Sequence, residues 1–91
     1  MRVLDAKFHI EGDKLIKTSN GQEVPLEEPL CLFRGRDRLV IPLMEYYRQL
    51  CVADGCNDHQ MALVDQRIEM FRAFARDYPE RMKQPGITRG L

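Results

Sequence analysis

"EPLCLFRGRDRLVIPLMEYYRQLC", residues 28–51, is the stretch on which the reading of this chain turns. Leu30 to Arg34 is a continuous apolar run closed by Gly35, the pattern of the most buried strand in a small antiparallel sheet. Asp37 stands where a helix N-cap belongs, and Pro42, which has no amide hydrogen, fits only the first turn of a helix. Leu43, Tyr46, Tyr47 and Leu50 then recur at the helical period. The stretch predicts a strand handing over to a helix, with one loose turn from Asp37 and a regular helix starting at Pro42.

On the N-terminal side, Leu4, Ala6, Phe8 and Ile10 alternate with Asp5, Lys7 and His9, which predicts a half-buried strand over residues 2–10. "EGDK" (11–14) is a Gly-containing turn, "LIKTS" (15–19) a short strand, and Asn20-Gly21 supplies the positive backbone angles of a second tight turn. Pro25 and Pro29 deny donors to the backbone between them, so residues 25–29 are expected as a connector or edge, with the strand proper resuming at Leu30. Cys31, inside that run, is expected in the core.

On the C-terminal side, the first helix should stop near Asp54-Gly55, glycine being the residue that tolerates the reversed backbone past a helix end. Asn57-x-x-Gln60 is a capping box and predicts the start of a second, longer helix. Val64, Ile68, Phe71, Ala75 and Tyr78 form its apolar stripe, with Met61, Met70 and Phe74 beside it, and Asp65, Arg67, Glu69, Arg72 and Arg76 facing outward. Pro79 and Pro85-Gly86 close it. The expected fold is α+β: a three-stranded antiparallel sheet packed against a C-terminal helical hairpin, one domain over residues 1–83 with a flexible tail at 84–91. The stripe of the second helix is wide for so small a chain, and surplus apolar surface of that kind is commonly buried by self-association.

A chain of 91 residues supports one small core and leaves little room for a buried multi-residue active site. Fourteen basic residues balance fourteen acidic ones, which argues against a protein whose main work is neutralising phosphates over a wide surface. Nevertheless residues 11–28 are mainly acidic, and Arg34, Arg36, Arg38 and Arg48 make residues 34–48 a basic shoulder. No apolar stretch reaches bilayer-spanning length, and "MRVLDAKFHI" lacks the apolar core of a signal peptide. Three cysteines without framework spacing fit reduced thiols, so a cytoplasmic location is expected.

Three residue sets carry candidate chemistry. Cys51, Cys56 and His59 cluster around the inter-helix turn, and with His9 or Cys31 as a fourth ligand they would suit tetrahedral zinc, although a second close pair of ligands is missing. The plain alternative places Cys51 in the core and His59 on an exposed first turn. Cys56 precedes a helix N-terminus, where a thiol is activated, but no oriented base or oxyanion site accompanies it. Arg34, Arg36 and Arg38 would share one face if strand geometry continued through Gly35, forming an anion or nucleic-acid contact; otherwise they pair with nearby carboxylates. Glu27-Glu28 reads as solvated connector charge, and no phosphate loop, nucleophile elbow or metalloprotease motif is present.

The run Glu28-Pro29-Leu30-Cys31-Leu32-Phe33-Arg34-Gly35-Arg36-Asp37 resembles a Glu-Pro, apolar, Arg-x-x-Asp pattern of small uncharacterised bacterial and phage proteins, in which a strand leads into a helix. The resemblance covers about ten residues. It implies a small cytosolic accessory protein and carries over no catalytic residue. Arg34 and Asp37 are then expected to pair across the strand-helix corner. The sequence thus leads to a non-enzymatic interaction module without cofactor or membrane attachment, a homodimer with a further protein partner not identified by its residues. A nucleic-acid or anion binder using Arg34, Arg36, Arg38, Arg81, Lys83 and Arg89 is the alternative, and a metal or thiol protein using Cys51, Cys56 and His59 the second.

Overall fold

A computed structural model describes residues 7–84. The class is α+β: a two-stranded antiparallel sheet and two helices. Two compact units are formed, divided between Cys31 and Leu32.

The first unit is a hairpin. Strand β1 (Phe8–Glu11) pairs with β2 (Lys14–Lys17) in the register Glu11 to Lys14 and Phe8 to Lys17, leaving Gly12-Asp13 as a two-residue loop. Gly12 has φ of 63° and no other residue type in the described chain is left-handed, so the loop takes the form that requires glycine at its first position. The expected strand over residues 2–10 is therefore seen from Phe8 onward, and its beginning lies outside the described residues.

The turn at Asn20-Gly21 also forms. Gly21 (φ 74°) donates to the Lys17 carbonyl and the Asn20 side chain accepts from Gln22. Residues 22–24 return along β2 through one bridge, Ile16 to Glu23, and the Val24 amide donates to Leu15. Pairing stops there because Pro25 has no amide to continue it. Among the described residues of this unit, Ile16 and Val24 are buried.

The expected third strand, Leu30 to Arg34, is not seen. The segment is irregular, Leu30 and Leu32 are largely exposed, and Cys31 is exposed rather than core. Apolar character without alternation specifies burial but no partner, and the return along β2 is already made by residues 22–24.

The second unit is a helical hairpin. Helix α1 (Val40–Ala53) begins two residues before Pro42, which is accommodated because the first-turn amides of a helix have no intrahelical acceptor. Asp37 is not the N-cap expected of it; that position is held by Leu39, without a side-chain cap. Asp37 lies in the turn before the helix, where its carboxylate accepts from the Leu39 amide at 2.9 Å and its carbonyl from Val40 at 3.2 Å. The exit is a double-bonded cap in which Cys56 N donates to Cys51 O (3.0 Å) and Gly55 N to Val52 O (3.1 Å), with Gly55 at φ 82°. Asn57 then caps α2 (Asp58–Asp77), and the box with Gln60 is complete in both directions.

The helices pack through Cys51, Val64 and Ile68, with Met44, Cys56 and Met61 against them. A short 3-10 turn (Pro79–Arg81) follows α2, and Arg81 lies over the rings of Phe74 and Tyr78 at 5.0 and 5.1 Å. Lys83 is then stitched to the entry of α1: its amide donates to Arg36 (2.8 Å) and its carbonyl accepts from Arg38 (2.9 Å). Gly35 lies against Phe74, where an added Cβ would approach the ring to 3.4 Å. Among the described residues no helix is long and apolar enough to cross a membrane.

Candidate functional site: an exposed face of helix α1

The helical period places α1 side chains on distinguishable faces. Val40, Met44 and Cys51 share the inward face, on which Met44 and Cys51 join the cluster with α2; Val40 is 1% and Cys51 8% exposed. About a third of the circumference away lie Leu39, Leu43, Tyr46 and Leu50, spaced by four, three and four residues, with Tyr47 between the two faces. These five are between 47% and 59% exposed. The stripe expected to pack inside the hairpin is thus its outer surface.

The charges of α1 explain which side was left open. The helix has two charged residues, Glu45 and Arg48, and both turn to α2. The Arg48 guanidinium donates through Nε and Nη2 to the two carboxylate oxygens of Asp65, and Arg72 Nη2 lies 3.4 Å from Glu45 Oε2. The hydrogen bond from Arg48 holds the Asp65 carboxyl below its ordinary range, and the same bond raises the Arg48 guanidinium. One flank of the helix-helix contact is therefore polar and paired. The opposite flank is the uncharged apolar stripe.

The surplus apolar surface was expected on α2. There, Val64 and Ile68 are buried and Met61, Phe71, Phe74 and Ala75 half-buried, which leaves Met70 and Tyr78 as its exposed large apolar residues. The first helix has the surplus.

The three arginines do not form the row that continued strand geometry would have given. Arg34 leaves an irregular segment, Gly35 and Arg36 lie in a turn, and Arg38 is in the turn entering α1, so the alternation that would align them is absent. Arg34 and Arg38 are exposed and Arg36 half-buried. The contact between Arg34 and Asp37 is made by the backbone, the Asp37 amide donating to Arg34 at 3.0 Å, while the Asp37 carboxylate serves Leu39. What the structure adds is Lys83, drawn beside Arg36 and Arg38 by two backbone hydrogen bonds. Arg89 lies outside the described residues.

Cys51 and Cys56 do come together, because the cap at the end of α1 joins their backbones. His59 is exposed on the first turn of α2, and among the described residues no three His, Cys, Asp or Glu side chains could hold a metal ion, which removes the geometric basis of the Cys51, Cys56 and His59 zinc site. His9 is occupied elsewhere, with Nε2 at 2.6 Å from Glu11 and Nδ1 at 3.0 Å from Thr18.

The sequence reading missed Tyr47 as a neighbour of the thiols. The phenol is held above its ordinary pKa of 10.0, first by the Cys51 sulfur beside it and then by partial burial. The four-residue spacing from Tyr47 to Cys51 was the available signal. Tyr47, Leu50, Cys51, Ala53, Asp54 and Cys56 line an open groove of about 470 Å³.

The architecture is that of a small α+β protein with one uncharged apolar helix face turned to solvent. Comparison with protein-family models, curated proteins and solved structures gives no match for this chain.

Proposed function

We propose that this protein is a non-enzymatic, cytoplasmic interaction module that self-associates through the outer face of α1. The observation that supports the reading is the uncharged, heptad-spaced row Leu39, Leu43, Tyr46 and Leu50, flanked by Tyr47. A second copy is the occupant that fits best. The stripe carries no charge to oppose itself in a two-fold pairing, and the chain as a whole has a formal charge of zero, so copies do not repel. With about half of each side chain exposed, pairing would remove roughly 100 Å² per residue and on the order of 1,000 Å² in all, the lower edge of specific interfaces. The dimer should therefore be weak, on the order of micromolar.

Leu43→Glu tests this. The side chain is exposed, so the fold should persist by circular dichroism, while the dissociation constant seen by sedimentation rises at least about tenfold. Unchanged association would place the interface elsewhere.

A second reading is favoured by the pairing of Lys83 with Arg36 and Arg38, which gathers parts of both basic segments at the entry of α1. In that reading the corner contacts phosphate groups, of nucleic acid or of a smaller anion. Retention on single-stranded nucleic acid that falls steeply with salt and is lost in Arg38→Glu with Lys83→Glu would support it. Equal retention by the variant would dismiss it.

A further inference from the structure

The end of α1 brings two thiols to one place for a backbone reason. Cys51 is three residues inside the helix end and Cys56 is the second residue beyond its cap, the two positions whose backbones the cap joins by the 3.0 Å hydrogen bond from Cys56 N to Cys51 O. With that bond made, standard bond lengths keep the two Cα atoms within about 7 Å, and less because the bonds are not collinear. Disulfides span Cα separations of roughly 4.4–6.8 Å. The Cys56 side chain also packs against the cluster of Cys51, Val64 and Ile68. Gly55, the residue between them that must be left-handed, needs no distortion to hold this geometry.

Both thiols line the same groove, beside Tyr47. Cys56 is half-buried and Cys51 is buried, so the two differ in access to a reagent arriving from solvent. The groove, at about 470 Å³, is large enough to admit a small organic disulfide. We propose that Cys51 and Cys56 form a dithiol site that exchanges with low-molecular-weight disulfides and closes to an intramolecular Cys51–Cys56 bond. The Cys56 thiolate attacks one sulfur of the small disulfide, breaking its S–S bond and releasing one thiolate. The Cys51 sulfur then attacks Cys56 Sγ in the mixed disulfide, forming the protein S–S bond and releasing the second. The two protons lost from the cysteines end on the two small thiols. The protein is oxidised by two electrons and the small disulfide reduced by two.

The site borders the α1 stripe through Tyr47 and Leu50, but it does not depend on self-association, so the test is made at a concentration where sedimentation shows monomer. Cys31 is exposed and would react independently, so the protein used carries Cys31→Ser. It is equilibrated with oxidised and reduced glutathione in graded ratio, quenched with an alkylating reagent and weighed intact. The proposal expects a species lighter by two hydrogens, without a glutathione adduct, protected from alkylation at both remaining cysteines and cross-linked between Cys51 and Cys56 in its peptide map. Adding Cys51→Ser should convert this product to a stable glutathione adduct on Cys56, because the second attack is lost. Accumulation of the adduct in the protein that keeps both thiols, or full alkylation of both at every ratio, would overturn it.

Discussion

The two faces of α1 are both apolar and have opposite fates. One, Val40, Met44 and Cys51, is turned inward, with Met44 and Cys51 packed in the cluster with α2; the other, Leu39, Leu43, Tyr46 and Leu50, is turned to solvent. The difference comes from what flanks them. Glu45 and Arg48 engage Arg72 and Asp65 on one side of the contact, and the leucines and tyrosines lie on the other side, outside it. A helix that is apolar over most of its circumference has more apolar surface than one packed helix covers.

That contrast breaks most visibly at its buried side. Ile68, 3% exposed, faces α1, and Ile68→Ala should cost about 2–5 kcal/mol, since the deletion leaves a cavity that the surrounding side chains only partly fill. Urea denaturation followed by circular dichroism measures it. A cost within about 0.5 kcal/mol, as expected of surface positions, would mean that the helices are not held by this contact.

Next in size is the hinge between the helices. Gly55→Ala forces a side chain into left-handed backbone and should cost about 1–2 kcal/mol in the same experiment, although a Cβ there would meet nothing within 4 Å. The penalty is therefore conformational rather than steric contact with the rest of the fold, and Gly55→Asn, which tolerates that backbone better, should recover part of it.

The polar flank gives the smallest effect. Because the folded state holds the Asp65 carboxyl below its ordinary 3.8, the Arg48 pair adds stability above that value and loses it as pH falls through the lower, folded one. The pair is exposed and screened, so the loss on acidification should be slight and absent from Asp65→Asn. Thermal melts of both proteins across that window test the sign. Greater acid sensitivity in the variant would contradict it.

Local punctuation was legible in the sequence because its physics is local. Asp54-Gly55, the Asn57 to Gln60 box, Pro79 and the turns at Gly12 and Gly21 all act within a few residues, and each stands where its residues required. Choices between distant partners were not legible. The run Leu30 to Phe33 has the composition of a buried strand, yet residues 22–24 pair with β2 instead. Tyr46 and Tyr47 follow the helical period that core residues follow, yet both are exposed, and the period alone does not tell which apolar face meets α2. The thiol pair lay between: the spacing of Cys51 and Cys56 was visible, but its meaning depended on the cap that joins them.

The most direct test of the account is sedimentation of the reduced, unmodified protein over a wide concentration range, with reductant present so that Cys31 cannot cross-link copies. Self-association through α1 predicts a reversible rise from the 10.7 kDa monomer towards twice that mass, abolished by Leu43→Glu. A monomer that persists to the highest concentration would contradict it.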